Sequence, residues 1–278
     1  MSVPTLLRRE LRDAVRRYWF LVNATLFATA GVLIMAFGQP DAMILGARGH
    51  ARSLAGLMQL AMVFVPLMAI VPSVVAIAGE RESGTLSYLL AQPVTRTEVY
   101  LGKWVGISSA TALSVLVGFG FVGMVAAARG APSVSVAALL ASTMLLAITF
   151  VSIGLWISAR TPSRSKATSL GMTVWMLLAG LGSLGVMTAF VQWGLPAWSL
   201  QAWSILNPIE AYRLAGVVLL DPETTALGPV GAALLGRMGA GGVIGWSVVS
   251  LISWAGIAFG FGLRSFAAAD MKARGAGR

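Results

Sequence analysis

The chain alternates long apolar runs with short polar, basic connections. The runs lie near Trp19–Phe37, Leu54–Gly79, Trp104–Ala128, Val134–Ser158, Ser169–Val191 and Val243–Leu263. Each holds about 19 to 26 residues, enough for a helix to cross a hydrocarbon core roughly 30 Å thick. The runs are continuously apolar and do not alternate. Backbone groups in lipid must be paired within a closed structure, so helices are expected and a barrel is not. The pattern predicts an all-α integral membrane protein, a single transmembrane domain over residues 1–278 with six transmembrane helices. Ahead of the first run, Leu7, Leu11, Val15 and Tyr18 recur at helical spacing with arginines on the other faces. That predicts an N-terminal amphipathic helix lying at the membrane interface. The basic start of residues 8–30 resembles a signal peptide, but the apolar run continues into Gly31–Phe37. This is too long for a typical signal core, so an uncleaved first span is expected.

Composition supports the membrane reading. The chain is 57% hydrophobic and 11% charged, where a soluble domain carries about a quarter charged residues. Cysteine is absent, which excludes disulfides, thiolate metal sites and cysteine nucleophiles within the chain. The formal charge is +10, yet its placement explains it without nucleic acid. Fifteen of the 20 Lys and Arg residues fall on one side of the predicted spans and five on the other. Membrane proteins keep such residues in the cytoplasm, so both termini are expected there, in a multi-pass inner-membrane protein.

The connection Glu80–Lys103, between the second and third runs, cannot sit in lipid. Ser83-Gly84-Thr85 offers polar capping groups ahead of Leu86–Ala91, where Leu86, Leu89 and Leu90 share one helical face. Gln92-Pro93 ends that short helix. Thr95-Arg96-Thr97-Glu98 is a capping box that should start the next helix. The leucine face either covers the protein's own helix ends or docks into a partner's groove.

The longest non-spanning stretch, residues 192–242, separates the fifth and sixth runs. Trp193, Trp198 and Trp203 suit a lipid–water interface. Asn207 followed by Pro208, with Glu210 in the first turn, predicts a helix start, and Glu210 can pair with Arg213. This predicts a short external helix dipping into, or lying on, the outer surface. Gly102/Gly106, Gly241/Gly245 and Gly256/Gly260 are small-residue pairs that would allow close helix approach.

Chemistry within the chain is sparse. Gly102-Lys103 is followed by Trp104 and lacks the G-x-x-x-x-G-K-[ST] frame, so no phosphate loop is present. The chain is expected to be a non-catalytic subunit. The single histidine, His50, lies in the first external loop, which leaves no membrane serine–histidine pair. Thioether sulfur suits Cu(I). Met43, His50, Met58 and Met62 are therefore the candidate metal ligands, and Met172/Met176 is a further helical pair. Gap filling in apolar helices is the alternative reading of these methionines.

The stretch GERESGTLSYLLAQPVTRTEVYLGKWVG resembles the signature of type-2 ABC transporter permeases. The topology is similar to theirs along the whole chain. In that family this region is the cytoplasmic coupling helix seated on the ATPase subunit. The resemblance thus implies coupling roles for Glu80, Arg81, Glu82, Ser83, Gly84, Thr85, Leu86, Leu89 and Leu90. It also implies a homodimer with two cytoplasmic ABC ATPase subunits, which would bind ATP and Mg, with no cofactor on this chain. Leu206–Leu214 resembles the branch of the family that serves copper-site maturation of nitrous-oxide reductase. That branch implies a periplasmic copper-maturation partner and assigns Asn207, Pro208, Glu210, Tyr212 and Arg213 to the external, partner-binding helix. Export of a lipid, drug or peptide, and a non-transport membrane scaffold, are the alternatives.

Overall fold

Long uninterrupted apolar stretches with few charges leave the backbone one way to satisfy its polar groups in lipid, and the described elements are all helical. The computed structural model describes residues 25–29, 31–33, 48–128, 130–181, 192, 202–203, 206–220 and 228–275. Seven helices are described at length: α1 (Arg48–Glu82), α2 (Thr85–Leu90), α3 (Arg96–Ala128), α4 (Ser133–Arg160), α5 (Arg164–Met176), α6 (Pro208–Leu220) and α7 (Gly228–Gly275). A π turn, Leu177–Leu181, continues α5. The α7 helix is broken at Gly239, whose φ of 67° and ψ of 173° are non-helical.

Among the described residues, four helices are long and apolar enough to cross a membrane: Leu54–Glu82, Arg96–Ala128, Ser133–Arg160 and Leu235–Ala268. They correspond to the second, third, fourth and sixth apolar runs. The fifth run begins on α5, and most of it beyond Leu181 lies outside the described residues. Of the first run, residues 25–29 and 31–33 are helical. There Phe27 is buried and Gly31 abuts Val122 and Leu57. The predicted N-terminal amphipathic helix lies outside the described residues.

The α4 helix is the centre of the bundle, in contact with α1, α3, α5, α6 and α7. Its Leu139, Leu146 and Phe150 are fully buried. Lipid is as apolar as leucine, so burial alone does not select neighbours in a membrane. Small residues and polar bonds do. Gly154 of α4 is one such notch: an added Cβ would lie 2.6 Å from Ser73 Cβ and 3.1 Å from Ile70 O of α1. Gly171 of α5 packs on Val74 of α1 in the same way, at 2.7 Å. The buried Ser158 hydroxyl of α4 accepts from the Ile77 and Ala78 amides of α1, each at 2.9 Å. These amides lie one turn beyond Pro72, which removes an amide from the α1 ladder. The Gly102/Gly106 pair is buried within the bundle. Gly241, Gly245, Gly256 and Gly260 have open space around them.

Candidate functional site

The polar connection after α1 is a folded element with a fixed frame. Ser83 N donates to Gly79 O at 3.0 Å and Gly84 N to Arg81 O at 3.3 Å. These bonds turn the chain through a left-handed residue, Gly84, at φ 75°. Glycine alone enters that region freely, so the turn requires it. The α2 helix has no side-chain cap. The Ser83 and Thr85 hydroxyls that sequence reading offered as caps instead face each other at 2.9 Å and turn back on Glu80 O. Past Pro93, Thr95 and Glu98 form the reciprocal capping box. Thr95 N donates to Glu98 Oε2 at 2.7 Å, and Glu98 N donates to Thr95 Oγ1 at 3.2 Å.

The leucine face of α2 packs on the protein's own core. Leu86 is buried, and Leu89 and Leu90 rest against the cluster beneath it. The outward residue is Tyr88, 79% exposed, which the sequence pattern did not single out. Three consecutive residues in the last turn of α1, from which this element springs, then reach three other helices. Glu80 accepts from Lys103 Nζ of α3 at 2.6 Å. The Arg81 guanidinium donates to Thr161 O and, at 3.0 Å, to Ala159 O, covering the open carbonyl end of α4. Glu82 Oε2 accepts from Arg164 N at 2.9 Å, at the open amide end of α5. Each bond satisfies a group that helix geometry leaves unpaired or a charge held against the core.

At the opposite end of the bundle lies α6. Asn207 Oδ1 accepts from Ile209 N at 3.0 Å and so caps the helix, with Pro208 as its first residue. The same side chain donates through Nδ2 to Leu178 O in the π turn, at 2.8 Å. Tyr212, fully buried, lies 2.9 Å from the Thr143 hydroxyl of α4. The Thr143 proton already goes to Leu139 O at 2.7 Å, so Tyr212 is the donor. Arg213 Nε pairs with Glu210 Oε2 at 2.8 Å, and that carboxylate is almost wholly buried.

These contacts locate α6 in depth. Leu178 lies 14 residues past Arg164, and Thr143 lies 17 residues before Arg160. At a rise of 1.5 Å per residue they stand about 21 Å and 26 Å from the end carrying the insert. Met58, whose sulfur faces Gly216, lies 24 residues before Glu82, about 36 Å from that end. The α6 helix therefore starts within the bundle and climbs outward, so the helix dips in and does not lie on the surface. Asn207, Pro208, Glu210 and Tyr212 are buried and mount the helix, while Arg213 keeps partial exposure.

Of the candidate metal ligands, Met58 and Met62 are buried core residues. Met43 lies outside the described residues, as does the side chain of His50 on α1. Met172 and Met176 are exposed. Among the described residues, no group of three or more His, Asp or Glu is placed to hold a metal ion.

Comparison with known proteins places the chain among membrane transporters. The family model described as ABC-2 family transporter protein matches residues 5–271. The probable ABC transporter permease protein NosY of Pseudomonas aeruginosa is 32% identical over 228 residues, covering 79% of this chain and 82% of the relative. The protein of the same name from Stutzerimonas stutzeri is 30% identical over 268 residues, covering 90% and 95%.

Proposed function

The chain belongs to the ABC-2 family of transporter proteins, and from that premise we propose that it is the permease subunit coupling a cytoplasmic ATPase to the copper-site maturation of nitrous-oxide reductase. It is a multi-pass membrane protein, and in this reading it sits in the inner membrane with both termini in the cytoplasm. Two copies work with two ABC ATPase subunits. ATP and Mg are held by those subunits, because this chain has no phosphate loop. The likeness to two NosY permeases supports the maturation role.

The observation that carries the reading is the frame of the insert. At its root, Glu80, Arg81 and Glu82 of α1 bind the second turn of α3, the end of α4 and the start of α5. The leucines fix α2 from beneath, and Tyr88 is presented outward. A rigid element rooted on three other helices transmits a push, where a loose loop would absorb it. Closure of the ATPase dimer against α2 moves these helix ends together and tilts the spans. Motion then reaches the outer face and a periplasmic copper-maturation partner.

The test is purification of the tagged protein from native membranes, with mass spectrometry of the proteins retained. An ABC ATPase together with a periplasmic copper-handling protein is expected. An ATPase alone shifts the reading to export of a lipid, drug or peptide. Recovery with no ATPase overturns the permease assignment in favour of a scaffold.

A further inference from the structure

The α6 helix is held at two points by two different helices. Its capping residue is tied to the π turn after α5 through Asn207 Nδ2 and Leu178 O. Its middle is tied to α4 through Tyr212 and Thr143. At the other end of the bundle, α4 and α5 are in turn held by adjacent residues, Arg81 and Glu82. A rotation of the insert therefore acts on the two helices differently. The π turn gives the chain after α5 a place to yield, since such turns are local irregularities of register and recur at functional sites.

We propose that α6 is a lever: Asn207 is its handle on the π turn, the Tyr212–Thr143 bond is its pivot on α4, and the Leu220 end swings when α5 shifts against α4. The proposal rests on the permease reading above. Asn207 to Tyr212 spans five residues, about 7.5 Å, and Tyr212 to Leu220 spans eight, about 12 Å. The ratio of arms is about 1.6. Helix shifts of about 1–2 Å are the usual scale of such transitions, so the Leu220 end moves about 2–3 Å. Past the pivot, Gly216 runs close against the Met58 sulfur. Methionine is the most adaptable side chain to have there, because its thioether can follow the helix. Asn207 acts through the helix it holds, and its role is that of a positioning residue.

The chain contains no cysteine, so the two thiols introduced per copy are the only ones on the permease, and diluting labelled with unlabelled permease isolates the distance within one copy. Spin labels at Val134→Cys, at the exposed start of α4, and Leu220→Cys report the swing by double electron–electron resonance. The sample is the permease–ATPase complex in lipid nanodiscs, with and without ATP. Asn207→Ser is the diagnostic variant, since serine still caps the helix but is too short to reach Leu178. The expected result is an ATP-dependent distance change of about 2–3 Å in the parent that is lost in Asn207→Ser while the ATPase stays bound. Thr143→Val removes the pivot bond without touching α6, and the same loss is expected. If Asn207→Ser keeps the change, or the parent hydrolyses ATP with no change, the lever is refuted. If the parent binds no ATPase at all, the permease reading fails and the lever with it.

Discussion

Replacing Gly84 isolates how much the insert depends on one backbone angle. Gly84 sits at φ 75°, and an added Cβ there would meet no atom within 4 Å. Alanine therefore introduces no clash, and its whole effect is the left-handed penalty of about 1–2 kcal/mol. That penalty lowers the free energy of opening the turn directly. At 1.4 kcal/mol per tenfold, the amides it protects exchange about 5- to 30-fold faster. The affected amides are Ser87, which donates to Gly84 O, and those of the turn that follows. Gly84→Asn is the control, because asparagine enters the left-handed region more readily. Gly84→Pro is the extreme case, since its φ is fixed near −65° and the bond to Arg81 O is lost. Hydrogen exchange read by mass spectrometry over residues 85–91 gives the answer, with a peptide from the centre of α4 as reference. The expected order of exchange is Pro, then Ala, then Asn, then the parent. Equal exchange in Gly84→Ala and the parent, or faster exchange in Gly84→Asn than in Gly84→Ala, refutes the reasoning.

Three further substitutions separate the frame from the surface. Arg81→Ala leaves the Ala159 and Thr161 carbonyls without their donor and should cost about 1–3 kcal/mol, read as a lower unfolding temperature in detergent, with Arg81→Lys intermediate. Lys103→Met strands the Glu80 carboxylate. The loss should fall toward the low end of the roughly 3–5 kcal/mol seen on breaking buried pairs, because Glu80 keeps a third of its side chain exposed. Adding Glu80→Gln should restore part of that loss, and a double variant no more stable than Lys103→Met would count against the pair. Tyr88→Ala should leave stability unchanged and weaken ATPase association by about 2 kcal/mol or more, measured as affinity in nanodiscs. Unaltered affinity would remove Tyr88 from the contact.

Elements that depend on neighbours in sequence were legible, and those that depend on distant partners were not. The run lengths located four spans, because the bilayer thickness sets them. The capping box at Thr95 and Glu98 and the pair at Glu210 and Arg213 are three residues apart, and both stand in the structure. The direction of the leucine face on α2 was not legible, since Leu86, Leu89 and Leu90 fit a partner's groove as well as the protein's own core. Gly154, Gly171 and Gly216, which abut α1, belong to none of the glycine–glycine pairs that the spacing picked out. Their importance lies in what stands opposite. Arg81 and its carbonyls are about 80 residues apart in sequence, as are Ser158 and the amides it accepts from. No local pattern encodes such pairings.

The two ends of the bundle share one physical device, and the membrane is the reason. Within lipid, apolar contact does little to choose one helix neighbour over another, so the arrangement is specified by polar groups that have a single available partner. Helix ends supply those groups, because their first amides and last carbonyls have no partner along the helix. Arg81 takes the end of α4, Glu82 takes the start of α5, and Asn207 caps α6 while reaching the π turn. Charges that look like a surface for a partner are thereby engaged by neighbouring helices: Glu80, Arg81 and the exposed Glu82 each hold one, while the uncharged Tyr88 faces out. A push on α2 is not dissipated at the membrane surface under this arrangement. It enters helices already joined, through α5, to the element that climbs out on the far side.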